Sequence, residues 1–150
     1  MIVPKSLSGV VLSVKNVAKS LAWYREKFGF EKVCDDAPNS KGIIIGTNGI
    51  TLALNPLDDP DNATDVDNAH QVCVQLFCLE IDEADLDRVA TEFPEDKDIV
   101  VLDNHPKYRS RIIEDPDGHS IELIVWKHDC RTIARTGRAK AAPVKHTPDM

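Results

Sequence analysis

One acidic residue, Glu122, lies within an otherwise apolar run and is the side chain most able to do chemistry in this chain. The run from Ile121 to Trp126 is rich in β-branched and aromatic residues, which is typical of a strand. The preceding Asp115-Pro-Asp-Gly118 has the composition of a tight turn. Because strand side chains alternate, Glu122 lies on the face opposite Ile121 and Leu123. A carboxylate placed there can orient a ligand amine or hydroxyl, or act as a general acid or base.

Glu122 also has a structural interpretation, in which a basic residue of the neighbouring strand neutralises it. Residues 108–114 form that predicted strand, and Arg109 and Arg111 lie within it. The sequence leaves the parity of this strand open. Either the two arginines or Tyr108 and Ser110 face the same side as Glu122.

The cysteines and His119 add no recognisable catalytic motif. The four cysteines form no C-x-x-C pair, which indicates reduced thiols and a cytoplasmic protein. They are Cys34, Cys73, Cys78 and Cys130. His119 follows the turn glycine, and we expect it to be a solvated turn residue.

The first half of the chain predicts a βαβββ order of elements. Residues 7–15 alternate between apolar and small side chains, as a strand does. Asn16 and Gly29 are suited to cap the two ends of an amphipathic helix between them. A strand at residues 31–34 and a hairpin around Thr47-Asn-Gly49 complete this half.

The second half repeats the same order. It has predicted strands at 71–81, 99–102, 108–114 and 119–126. Asp82 is predicted to cap one helix that buries Leu86, Val89, Ala90 and Phe93. The segment at Leu79 matches that at Leu12, 67 residues earlier (79 minus 12). The chain is therefore a duplicated unit of the α+β class.

This repeat defines the expected domain organisation. Residues 1–126 form a single domain, with module one at about 7–56, an acidic linker at 57–69 and module two at about 70–126. Residues 127–150 form a basic C-terminal extension. No apolar run reaches the length that a membrane-spanning helix needs.

The net charge of -7 is unevenly distributed. Residues 127–150 contain six basic and two acidic residues and are therefore +4, so the preceding 126 residues carry -11 (-7 minus 4). An acidic body argues against nucleic acid as the main partner. We expect neither nucleic acid nor a membrane to be bound.

The two ends of this duplicated domain resemble the vicinal oxygen chelate superfamily. They read Gly9-Val-Val-Leu-Ser-Val-Lys-Asn in module one and Asp115-Pro-Asp-Gly-His-Ser-Ile-Glu-Leu123 in module two. That superfamily includes glyoxalase I, bleomycin-resistance proteins and extradiol dioxygenases. The resemblance implies a cup-shaped mixed sheet, helices on its convex face and a homodimer.

The resemblance also implies a divalent metal in the cup, but the ligand positions have changed. Motif matching places Gly9, Thr51 (or Ala53, with a shift), Leu76 and Glu122 at those positions. Gly9 and Leu76 have no donor atom in the side chain, and a transition-metal site normally takes three or four protein ligands. We therefore expect no cofactor, with a divalent metal held partly by Glu122 as the alternative.

What remains is a predicted cup of small and apolar side chains around one acid. Its predicted ligand contacts are Val11, Ser13, Thr51, Leu76, Cys78, Glu122, Ile124 and Trp126. Candidates for the mouth of the cup are His105, Tyr108, Arg109 and Arg111. Such a lining suits a small apolar or aromatic ligand that carries a positive charge.

These features favour a metal-independent small-molecule-binding protein that resembles the bleomycin-resistance branch. One alternative is a glyoxalase-like lyase, isomerase or dioxygenase whose non-standard metal site includes Glu122. Another is an interaction protein in which the cup is vestigial. Glu122 is the candidate if the protein is catalytic.

Overall fold

The computed structural model describes residues 1–4, 6–38, 41–63 and 76–127, which form two four-stranded sheets. The first sheet contains β1 (Val10–Val14), β2 (Glu31–Asp35), β3 (Ile43–Thr47) and β4 (Ile50–Pro56). The second contains β5 (Phe77–Glu80), β6 (Val100–Leu102), β7 (Tyr108–Glu114) and β8 (Ser120–Trp126). The spatial orders, β1-β4-β3-β2 and β5-β8-β7-β6, are equivalent. The predicted pair of βαβββ modules is thereby confirmed.

Helix α1 (Val17–Phe28) begins and ends where its sequence predicts. The Asn16 side chain accepts a hydrogen bond from the backbone N–H of Lys19 at 2.9 Å, which satisfies a donor of the first helical turn. Gly29 ends the helix in the left-handed region, at φ 70°. No helix among the described residues is long and apolar enough to cross a membrane.

The helix predicted in module two is divided into α2 (Glu83–Leu86) and α3 (Val89–Glu92). At the break, the backbone N–H of Arg88 donates to the carbonyl of Asp85, a tighter turn than that of an α-helix. Leu86 and Val89 are still buried, whereas Ala90, predicted on the same face, is exposed. The break therefore preserves part of the expected apolar face.

The β3–β4 hairpin has the turn that its sequence predicts. Asn48 and Gly49 both have positive φ, at 48° and 79°. Positive φ at both central positions matches the twist of antiparallel strands, and Asn-Gly is the pair best suited to it. This turn fixes which residues of β3 and β4 share a face.

One apolar core draws on both modules. In the first sheet its members include Leu12 of β1 and Leu54 of β4, and in the second they include Ile121 and Leu123 of β8. Helices α1, α2 and α3 contribute Tyr24, Leu86 and Val89. Because strand side chains alternate, the predicted ligand contacts on β1, β4, β5 and β8 lie on the opposite faces of the sheets.

The turn between β7 and β8 links the two modules. The Tyr24 hydroxyl of α1 donates to Oδ2 of Asp115 at 2.9 Å, and the Ser20 hydroxyl donates to Oδ2 of Asp117 at 3.3 Å. The backbone N–H groups of Asp117 and His119 donate to Oδ1 of Asp115. Module two is therefore held against α1 by buried carboxylates.

Candidate functional site

Glu122 lies on the face of the second sheet that is turned away from the core, yet only 8% of its surface is exposed. Its neighbours in register are Cys78 of β5 and Ile112 of β7. Oε1 accepts a hydrogen bond from the Ser110 hydroxyl at 2.7 Å, and Oε2 accepts one from the Cys78 thiol at 3.2 Å. Two neutral donors thus orient the carboxyl group.

Arg109 and Arg111 lie on the other face of β7, opposite Val125 and Leu123 of β8. Arg109 binds Glu83 of α2 and Asp87, the residue after α2, at 2.9 Å each, as well as Asp103. Arg111 binds Asp103 at 2.8 Å. Arg109 and Arg111 therefore do not lie at the mouth of the cup, where the sequence had placed them. Neither forms the ion pair considered for Glu122, because both pair with other acids.

Tyr108 instead lies on the Glu122 face, in a group of three aromatic rings. His105 stacks on Tyr108 with ring centroids 3.9 Å apart, and Trp126 meets Tyr108 edge-on at 5.6 Å. The Lys127 ammonium holds the loop before β7 by donating to the carbonyl oxygens of Asp103 and His105. The predicted candidates His105 and Tyr108 are therefore next to Trp126.

The face of β8 that carries Glu122 also carries Trp126, which connects the acid to the group of aromatic rings. Trp126 is four residues after Glu122, which corresponds to about 13 Å at about 3.3 Å per residue. Between them lies Ile124, which is 4% exposed and in register with Ser110. This face of β8 therefore has an acid, an apolar centre and aromatic rings over the length of a small molecule.

The predicted site residues of module one form a separate group. Val11 and Ser13 are exposed on β1, and Thr51 lies on the same side of β4. The Thr51 hydroxyl donates to the carbonyl oxygen of Ser8 at 2.5 Å. Leu76 is partly buried immediately before β5.

Partial desolvation and the neighbouring Glu122 govern the chemistry of Cys78, which is an exposed residue. Desolvation, followed by the hydrogen bond to Glu122 and its charge, raises the pKa of the Cys78 thiol to about 11. The thiol is therefore protonated at neutral pH. In that form it donates to Glu122 and is a poor nucleophile or metal ligand.

The divalent metal that the resemblance implies does not fit these residues. A Cβ atom on Gly9 would lie 3.0 Å from both the carbonyl oxygen and Oγ1 of Thr51, so a side chain at this position requires Thr51 to shift. The Thr51 hydroxyl is engaged by Ser8, and Glu122 is engaged by Ser110 and Cys78. Within the described ranges, no three His, Cys, Asp or Glu side chains are grouped to hold a metal ion.

His119 belongs to the link between the modules, whereas a solvated turn residue was expected. Its Nδ1 lies 2.8 Å from Oδ2 of Asp115, and its side chain is 15% exposed. Burial lowers the pKa of His119, but the hydrogen bond and charge of Asp115, with Asp117 and the Ser13 backbone, outweigh it and raise this pKa. Burial raises the pKa of Asp115, but His119 and Tyr24 lower it to a net value below the ordinary one.

A cleft of about 720 Å³ lies on the opposite side of the second sheet from Glu122. Leu123, the neighbour of Glu122 in the sequence, lines this cleft. This cleft is therefore separate from the acid and the aromatic rings. The Glu122 strip, which consists of Glu122, Ile124 and Trp126, is buried at Glu122 and Ile124 and partly exposed at Trp126.

The model of the Glyoxalase/Bleomycin resistance protein/Dioxygenase superfamily matches residues 6–123, and the chain belongs to this superfamily. The fosfomycin resistance protein FosX from Listeria monocytogenes is 18% identical, with a TM-score of 0.64 over 88% of this chain and 99% of that one. A glyoxylase/bleomycin resistance protein/dioxygenase domain from Frankia sp. EAN1pec is 16% identical, with a TM-score of 0.68 over 85% and 96%. Lactoylglutathione lyase from Agrobacterium tumefaciens is 25% identical, with a TM-score of 0.54 over 81% and 93%. No curated protein sequence matches the chain.

Proposed function

We propose that this protein binds a small molecule on the Glu122 strip without a metal. The observation that carries the proposal is a buried carboxyl group whose described partners, Ser110 and Cys78, are both neutral. A buried carboxylate is usually paired with a cation, because desolvation of the charge is costly. A positively charged group of a ligand supplies that pairing.

The aromatic rings support a ligand with a planar or apolar body. Tyr108 and Trp126 lie about 13 Å along the strand from the acid, given about 3.3 Å per residue. Rings of this kind stack on aromatic ligands and attract cations through their faces. The ligand class is therefore an aromatic or apolar cation.

The proposed assembly is a homodimer. Several apolar side chains of the N-terminal segment and β1 are exposed, with Ile2 at 95%, Leu7 at 84% and Val11 at 65%. Contiguous exposed apolar surface is typical of interaction sites. Light scattering on the purified chain measures the assembly directly.

The test is a thermal-shift screen that compares planar aromatic cations with neutral analogues of the same shape. A ligand at 100 times its dissociation constant adds about 2.7 kcal/mol to the free energy of unfolding. We expect Glu122→Gln to remove the preference for the cation over its neutral analogue. Glu31→Gln, the same change at an exposed site, is the matched control.

Metal analysis of protein purified without chelators tests the same proposal from the other side. Stoichiometric metal that is lost in Glu122→Gln would contradict it and favour a lyase, isomerase or dioxygenase with a non-standard metal site. A screen without any stabilising compound would favour an interaction protein instead.

A further inference from the structure

The cleft between the modules is a second site, independent of Glu122. Module one lines it with the end of α1 and the β3–β4 hairpin, and module two lines it with β5, α2 and α3. Its floor includes Phe30, Leu79 and Phe93, each less than 8% exposed. Its volume of about 720 Å³ lies within the range of binding pockets. An occupant of this cleft contacts both modules.

The rim of the cleft is predominantly acidic. Five acids line it, namely Glu26, Glu80, Asp82, Asp85 and Glu92. The bases among its lining residues are Lys27 and Arg88, so the formal charge is -3 (2 minus 5). Arg88 bonds to Asp85 and Glu92, while Lys27 bonds to Glu95 and to the Glu92 carbonyl. The excess of acid favours a positively charged occupant.

The chain carries such an occupant in its C-terminal segment. The described residues include 21 acids and 12 bases, a net charge of -9 (12 minus 21). Residues 128–150 include five bases and two acids, a net charge of +3 (5 minus 2). The bases are Arg131, Arg135, Arg138, Lys140 and Lys145. Arginine forms bidentate pairs with carboxylates, which suits a rim of this kind.

The end of β8 lies beside the cleft, within reach of this segment. The backbone N–H of Ile81 donates to the carbonyl of Ile124 at 3.1 Å, and both Ile81 and the next residue, Asp82, line the cleft. Arg131 is four residues after Lys127, the last described residue, and can extend about 14 Å from it, at about 3.4 Å per residue. A segment linked in this way has a local concentration on the order of millimolar.

We propose that the basic segment 128–150 binds in the acid-rimmed cleft of its own chain. Its arginines and lysines meet the carboxylates of α1, α2 and α3, and the bound segment ties the two modules together. This docking does not depend on whether the Glu122 strip binds a small molecule.

Zero-length carbodiimide cross-linking of the full chain, followed by peptide mass spectrometry, tests the contact. We expect Lys140 and Lys145 to cross-link to Glu26, Asp85 or Glu92, and we expect these products to decline at high salt because exposed ion pairs are screened. A mixture of ¹⁵N-labelled and unlabelled chains reports whether the products form within one chain. Products between chains would assign the cleft to a second copy and overturn the proposal.

A matched pair of full-chain variants separates a specific site from general attraction. Asp85→Asn/Glu92→Gln neutralises two acids of the rim, and Asp58→Asn/Asp59→Asn makes the same charge change outside the cleft. We expect the first variant to reduce the cross-links to Glu26, a rim acid that it leaves in place, roughly 2- to 30-fold, as for the loss of two exposed ion pairs, and the second to leave them unchanged. Equal losses in both variants, or no cross-links from the segment in the unmodified chain, would overturn the proposal.

Discussion

The Tyr24 hydroxyl donates a 2.9 Å hydrogen bond to Oδ2 of Asp115, and both residues are at least 95% buried. This contact joins α1 of module one to the β7–β8 turn of module two. The same oxygen lies 2.8 Å from Nδ1 of His119. The turn is therefore a structural link between the modules, and its acid is separate from the acid of the proposed site.

Tyr24→Phe removes one donor to this buried carboxylate and retains the packing of the ring. Because Oδ2 of Asp115 keeps its contact with Nδ1 of His119, the change removes one net hydrogen bond, worth about 0.5–1.5 kcal/mol. We expect the free energy of unfolding in urea to fall by that amount. The control is Tyr108→Phe, at a residue of β7 outside this link. It should change the free energy of unfolding by less than about 0.5 kcal/mol. Equal effects of the two variants on the free energy of unfolding would show that the hydrogen bond from the Tyr24 hydroxyl does not stabilise the fold.

The pH dependence of stability tests the His119–Asp115 pair. The pKa of His119 is raised in the folded state, so its contribution is fully present below the unfolded pKa of about 6.5. It is lost as pH rises through the folded pKa. We expect the difference in unfolding free energy between the native chain and His119→Gln to shrink from about pH 6.5 upward. His105→Gln serves as the control, and an identical pH profile for His119→Gln and the native chain would contradict the expectation.

Asp115 gives the opposite dependence at low pH. Its pKa is lowered on folding, so its contribution is present above the unfolded pKa of about 3.9 and is lost as pH falls through the folded value. We expect Asp115→Asn to be less stable than the native chain until the pH becomes strongly acidic, where the difference disappears. Urea unfolding at a series of acidic pH values measures this. Asp58→Asn, in an exposed loop, controls for a general charge effect.

Local sequence signals were sufficient for most of the fold. Asn16 and Gly29 have direct physical roles at the helix ends, and Asn48-Gly49 specifies the hairpin turn. Each of these signals acts within a few residues of its own position. That is why the order of elements along each module followed once the repeat was recognised.

The site required information that lies far away in the sequence. In β7, Ile112 and Ile113 are adjacent and both apolar, so the local pattern does not fix the parity. Arg109 is placed on the helical side by Glu83 and Asp87, which are more than 20 residues earlier. The contact of Cys78 with Glu122 likewise depends on the parallel register of β5 and β8.

Alkylation of Cys78 reports on the Glu122 carboxyl group. With a pKa of about 11, only about one Cys78 thiol in a thousand is ionised at pH 8. Glu122→Gln removes the negative charge but leaves the partial desolvation of the thiol, so we expect iodoacetamide to react several-fold faster. Peptide mass spectrometry over a time course gives the rate, with Cys34 as the internal reference. Glu31→Gln should leave the rate unchanged. An unchanged rate in Glu122→Gln would show that the Glu122 carboxyl group does not control the reactivity of the Cys78 thiol.

The crowding at Gly9 can be measured against the usual effect of a glycine replacement. Gly→Ala at a site without strain stabilises a protein by about 0.4–1 kcal/mol, because the unfolded chain loses freedom. At Gly9 the added Cβ would lie 3.0 Å from two oxygens of Thr51, and overpacking costs about 1–3 kcal/mol. We therefore expect Gly9→Ala to lower the free energy of unfolding. Val11→Ala, where the side chain is 65% exposed, is the control on the same strand. The double variant Gly9→Ala/Thr51→Ala removes one of the two oxygens. We expect Gly9→Ala to lower the free energy of unfolding less in the Thr51→Ala background than in the native chain. A gain of stability in Gly9→Ala would instead show that this position has room for the side chain that a metal ligand requires.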